Sequence, residues 1–125
     1  MFFIQLTKAK EFRRYIEDHY EFGDFALIRG REEIAEIGFV FADEDVNNWP
    51  SLYKKAENIC DHFETRLREE GLNTVAYSRV GKDLDFITVS IVIRLHTFSE
   101  DQIHQIADLI MSILREVNPY YENEK

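Results

Sequence analysis

The stretch LDFITVSIVIRLHTFSEDQIHQIADLIMSILREV, residues 84–117, decides the fold. From Asp85 to His96, the residues Ile87, Val89, Ile91, Ile93 and Leu95 fall at every second position, which gives a long strand with one continuous apolar face. Phe86, Thr88, Ser90, Val92, Arg94 and His96 point the other way. That mixture suits the outer side of a sheet covered on one face only. Ser99 then supplies an N-cap, Gln102 its capping-box partner, and Phe98 and Ile103 a hydrophobic staple, so the strand feeds a helix. This last helix runs from Glu100 to about Val117. Its apolar set, from Ile103 through Ile106, Ile110 and Leu114, is widened by Leu109 and Met111 beyond what a half-buried helix needs, so some of that surface is expected to meet a second partner. Pro119 ends the helix, and residues 118–125 read as a polar, frayed tail.

Working outward, Gly81-Lys82-Asp83 predicts a hairpin that joins this strand to one over Asn73–Val80. Upstream, Asn48 is placed to cap a helix with Pro50 in its first turn. Leu52, Ala56, Ile59, Cys60, Phe63 and Leu67 hold its helical spacing, and Gly71-Leu72 fits a Schellman end. Phe25–Arg29 and Ile34–Ala42 flank Gly30, the signal of a tight antiparallel hairpin. Ala35, Ile37, Phe39 and Phe41 share the core face of the second run, and Gly38 within it predicts a bulge. Thr7 opens a first helix over about Lys8–Tyr20, whose early turns carry Lys8, Lys10, Arg13 and Arg14 where the helix dipole prefers acids. Residues 1–6 fit either a short strand or the opening turn of that helix. The order (β)αββαββα predicts an α+β fold: an antiparallel sheet of four to five strands with helices on one face.

The 125 residues make one domain, 1–125, with 45% hydrophobic and 14% aromatic residues to fill its core. Fifteen basic residues against 24 acidic ones give a net charge of −9, which repels phosphate backbones and anionic lipid, so neither nucleic acid nor a membrane is an expected partner. No apolar run approaches the ~20 residues of a membrane span, and Met1–Leu6 is too short for a signal-peptide core. The lone Cys60 allows no internal disulfide, which fits a reducing, cytoplasmic compartment.

A search for chemistry returns little. The glycines are isolated, so no phosphate cradle forms. Cys60 and His62 point to different sides of one helix, which leaves Cys60 as a buried core residue. Asp43 to Asn48 is acidic but lacks the alternate-oxygen spacing and central glycine of a calcium loop, so no metal or cofactor is expected. His19 and His104 read as a helix-end and a polar-face residue. His96, following Arg94 with Ser90 and Thr88 on the outer strand face, forms a polar row suited to an anion or a partner's carboxylate; with Tyr77 it is also where an enzyme site would be sought.

The strand Ile34–Ala42 leading into the helix from Trp49 to Glu70, and the strand Phe86–His96 ending at the helix capped by Ser99, give a pattern that resembles the type III secretion chaperone-like fold over about Lys8–Val117. The roadblock-type dimerisation fold has a similar order. The resemblance implies a non-catalytic homodimer that binds a segment of another protein. The residues point the same way, to a protein-binding module whose surface uses Phe86, Thr88, Ser90, Val92, Arg94, His96, Leu109 and Met111, with a homodimer expected through the last helix or the outer face of the long strand. An acidic inhibitor or immunity protein and a small enzyme are the other classes to weigh.

Overall fold

A computed structural model describes residues 7–21, 27–42, 49–83 and 86–117. Residues 1–6, read as either a short strand or the opening turn of the first helix, the acidic loop 43–48 with its Asn48 cap, and Pro119 with the tail lie outside these residues. The elements run α1 (Lys8–His19), β1 (Leu27–Arg31), β2 (Ile34–Ala42), α2 (Trp49–Glu69), β3 (Ala76–Asp83), β4 (Phe86–Arg94) and α3 (Glu100–Glu116). This is the α+β order predicted, with four strands.

All strand pairs are antiparallel and the sheet order is β1-β2-β4-β3, so two hairpins meet along β2 and β4. The alternation of β4 is realised: Ile87, Val89, Ile91 and Ile93 are wholly buried, as are Ile37 and Phe39 opposite them on β2. Against this face α1 packs on β1 and β2, α2 packs on β3 and β4, and α3 packs on α1 and α2. Ser99 accepts from the Gln102 N–H while the Gln102 side chain accepts from the Ser99 N–H, the capping box foreseen. At the end of α2, Gly71 has φ +71°, the Leu72 N–H donates to the Leu67 carbonyl at 2.8 Å and the Gly71 N–H to that of Arg68 at 3.1 Å, completing a Schellman end.

Three glycine readings are corrected. Gly30 does not turn the first hairpin. It lies inside β1 opposite Ala35, and the turn falls on Glu32-Glu33, with Glu32 at φ 56°. Glycine is needed at position 30 because a Cβ there would come within 2.8 Å of the Ala9 Cβ of α1. Gly38 makes no bulge: the β2–β4 register runs unbroken from Ile34↔Arg94 to Ala42↔Phe86. A Cβ at Gly38 would lie 2.2 Å from the Val89 carbonyl oxygen, so close backbone approach explains the residue. Gly81, Lys82 and Asp83 do not form the second turn either; they continue β3 as far as the pair Asp83↔Phe86. At its other end β3 begins at Ala76, since the Val75 and Ala76 N–H groups are spent on the Leu72 carbonyl.

The last helix is also corrected. Met111 is fully buried and Leu109 packs partly into the core, so the wide apolar arc of α3 is absorbed within the chain. Its physical cause is the number of neighbours: α3 is flanked by both other helices, and polar seams hold it on each side. Toward α1, Tyr15 and Tyr20 donate to Asp108, at 2.9 and 2.6 Å, and Arg115 lies over the Tyr20 ring. Toward α2, Glu116 receives Arg66 at 3.0 Å and His62 at 2.7 Å. No helix among the described residues is long and apolar enough to cross a membrane.

Candidate functional site

The second face of the sheet is set by the same alternation that builds the core. Across the strands, the register places Arg31, Ile34 and Arg94 in one row, then Arg29, Glu36, Val92 and Tyr77, then Gly38, Ser90 and Arg79, with Thr88 and Phe86 further along β4. Among the described residues no helix lies over this face. Ile34, Phe86 and Tyr77 are 49%, 45% and 44% exposed, so three of the large apolar side chains left open to water stand on this face.

At the centre stands Glu36, a buried carboxylate without a covering layer. Arg29 Nε donates to it at 2.7 Å, Arg79 Nε at 2.9 Å and Ser90 Oγ at 2.5 Å. Burial alone would push this carboxyl up, but the hydrogen bonds from Arg79, Arg29 and Ser90 outweigh it and bring the pKa down to about 2. Ser90, bonded to Glu36, and Val92, the register partner of Glu36, are buried although they lie on the outer face. A shallow cavity of about 300 Å³ beside it is lined by Arg29, Gly30, Arg31, Ile34, Glu36 and Val92.

Of the surface residues singled out in the sequence, Phe86, Thr88, Ser90, Val92 and Arg94 share this face. Leu109 and Met111 do not join it. His96 leaves the row because β4 ends at Arg94; it sits exposed in the turn to α3, where its carbonyl accepts from Lys8 Nζ at 2.6 Å. Neither of the two cavities described here is lined by Arg94, His96 or Tyr77. The sequence reading missed Arg29, Glu36 and Arg79. Their outward positions were available from alternation, but their convergence depends on the strand order.

The basic start of α1 is largely engaged locally: Arg13 pairs with Glu17 at 2.5 Å and Arg14 with Glu11 at 2.8 Å. His104 lies half-buried, with Nε2 2.8 Å from Glu11 Oε1 and its ring stacked on Tyr15, which also stacks on His19. Burial raises the Glu11 carboxyl and the hydrogen bonds from His104 and Arg14 more than offset it, leaving it lowered. Among the described residues, Glu11, Glu100 and His104 bring three donors of metal-ligating type within 4.8 Å, a grouping that no local spacing reveals. Glu11 is already bonded to His104 and Arg14, Lys8 and Arg14 line the adjoining cavity of about 460 Å³, and Glu100 opens α3, where the dipole is positive. These charges oppose a cation. Cys60 is half-buried rather than fully buried; it packs against the core, and burial pushes its thiol up.

No protein-family model, no curated protein and no solved structure matches this chain.

Proposed function

We propose that this chain is a non-catalytic, chaperone- or adaptor-like module that binds another protein on the open face of its sheet, in a reducing cytoplasmic setting. The observation that carries this reading is the exposure of Ile34, Tyr77 and Phe86 on a face that no helix among the described residues covers. Ile34 and Phe86 lie at opposite ends of the β2–β4 register with Tyr77 off to one side between them, so they support an elongated contact that runs along the strands. Of the two surfaces expected to serve a homodimer, the last helix loses its basis with Met111 buried, and the outer face of the long strand is the one left for a second copy.

The experiment is affinity purification from the native host with the wild-type chain and with the double variant Ile34→Thr/Phe86→Thr. The partner is identified by mass spectrometry, then titrated calorimetrically against both purified chains. The double variant is expected to bind at least tenfold more weakly while remaining folded, with only a small drop in melting temperature. Equal binding by the two chains would overturn the reading. Light scattering of the free chain over a tenfold concentration range reports whether a second copy occupies the face instead.

A further inference from the structure

We infer that the open sheet face takes an extended, acidic segment of its partner, with an apolar side chain seated on Ile34 and Val92 and carboxylates received by Arg31 and Arg94. This rests on the reading that the face binds protein, and it names the chemistry of what binds.

The inference comes from where charge lies in the molecule. The chain carries −9 overall and nine arginines, yet four of them, Arg29, Arg31, Arg79 and Arg94, share the outer rows of the sheet. The lysine of the strands, Lys82, pairs with Ile87 and so belongs to the opposite row. Arginine alone at such a surface matters: its planar fork holds a carboxylate through two parallel hydrogen bonds, which a lysine does not. The described carboxylate within these rows is Glu36, and it is already occupied by Arg29, Arg79 and Ser90. Its effect is to anchor two guanidinium groups against the sheet. Arg31 and Arg94 have no ion pair or side-chain hydrogen bond among the described residues. Both are exposed, and the register sets one on each side of Ile34. Adjacent strands lie about 4.8 Å apart, so an apolar contact on Ile34 has a guanidinium within reach on both flanks. The cavity of about 300 Å³ lined by Arg29, Arg31, Ile34 and Val92 gives that side chain its seat.

The same charges weigh against a second copy. A two-fold contact presents the identical patch from both sides, so the Arg31 and Arg94 row would meet arginines of its own kind, and the described side chain that could receive them in these rows, Glu36, is already engaged. A nucleic acid backbone would also satisfy arginine, but it would approach a chain of strongly negative net charge and would find no lysine or continuous basic stripe on the face.

The test uses a fluorescent decapeptide of alternating Glu and Val, with Lys-Val and Thr-Val decapeptides and a ten-residue oligothymidylate as comparison ligands, titrated into the full chain. Amide chemical shifts locate the contact. The Glu-Val peptide should bind, shift residues of β1, β2 and β4, weaken at least tenfold in Arg31→Ala/Arg94→Ala, and weaken further as salt is raised. The variants change exposed side chains, and an unchanged amide spectrum away from β1, β2 and β4 shows that they fold. Failure of the Glu-Val peptide to bind, tighter binding of the oligonucleotide, or equal binding by wild type and variant would overturn the inference. Equal shifts of the same strands by the Thr-Val peptide would overturn acid selectivity while leaving the face a protein-binding surface. The Ile34→Thr/Phe86→Thr experiment above fails separately, since it reads the natural partner.

Discussion

Ile91 and Val92 are neighbours in one strand and belong to two different surfaces. Ile91 faces the helices along with Ile37, Ile87, Val89 and Ile93, and all are wholly buried. Val92 faces outward and is nonetheless buried, with Glu36 and Tyr77 opposite it on the two adjoining strands. The inner face is mainly apolar and covered by α1 and α2, on which α3 packs in turn. The outer face mixes four arginines, the carboxylate of Glu36, small hydroxyl residues and exposed Ile34, Tyr77 and Phe86. Folding uses the first surface nearly to completion and makes limited demands on the second. Residues of the outer face are thus free to be selected for what they bind, and a buried carboxylate can be kept there because its hydrogen bonds run laterally within the sheet.

The sharpest test of this contrast is Ile91→Ala. It removes a wholly buried side chain at the middle of a central strand, where helices prevent the site from collapsing. A loss of about 3–4 kcal/mol in urea denaturation is expected. A loss below about 1 kcal/mol would mean that the inner face is loosely packed, and the comparison would fail.

Gly38→Ala is next and cuts across the contrast. Position 38 belongs to the outer row, yet its added Cβ would meet the Val89 carbonyl and the Ser90 Cα, which are backbone atoms that cannot rotate away. About 2–3 kcal/mol is the expected cost, as for overpacking elsewhere. If the chain accepts alanine there at no cost, the two strands are farther apart than described.

These particulars show how far the sequence could be read. The alternation in β4 and β2 and the cap at Ser99 are local, so the element order and the α+β class followed from spacing alone. Gly30 misled because a turn and a close approach select the same residue; the contact that decides, Ala9 on α1, is remote in sequence. The true turn carries Glu32 at positive φ, a conformation that glutamate seldom adopts and that no pattern announces. Met111 misled for a related reason: periodicity measures the width of an apolar arc and is blind to how many elements flank it. The outer row of β4 was legible as a candidate surface. Its centre was not, because Arg29, Glu36 and Arg79 meet only once β2 lies beside β4 with β3 beyond.

Glu36→Gln tests that centre. The variant keeps the shape and loses the charge held by Arg29 and Arg79, which remain 55% and 46% exposed. The expected loss near neutrality is about 1–2 kcal/mol, less than for a fully buried pair because water still reaches both guanidinium groups. The pH dependence carries the sign. The folded-state carboxyl is lowered from its ordinary 4.5 to about 2, so its contribution is complete above the unfolded value and is lost as pH falls through that window. Wild type and variant should therefore differ in urea midpoint near neutral pH and converge toward the acid end. Glu11 and Glu116, lowered likewise, keep some acid sensitivity in both chains. A constant difference across the acid range would remove Glu36 from the account.

The smallest expected effect is the one that gives the contrast its functional meaning. Ile34→Thr and Phe86→Thr each remove apolar bulk from the outer face while threonine keeps a good strand residue in place. Both side chains are nearly half exposed, so little of their surface changes environment when the chain folds, and each variant should lose less than about 1 kcal/mol in the same urea assay. A small loss leaves these side chains available for the contact proposed on this face. A loss approaching that of Ile91→Ala would show instead that the outer face stabilises the fold, and the exposure of Ile34 and Phe86 would stop distinguishing a docking surface from a thin second core.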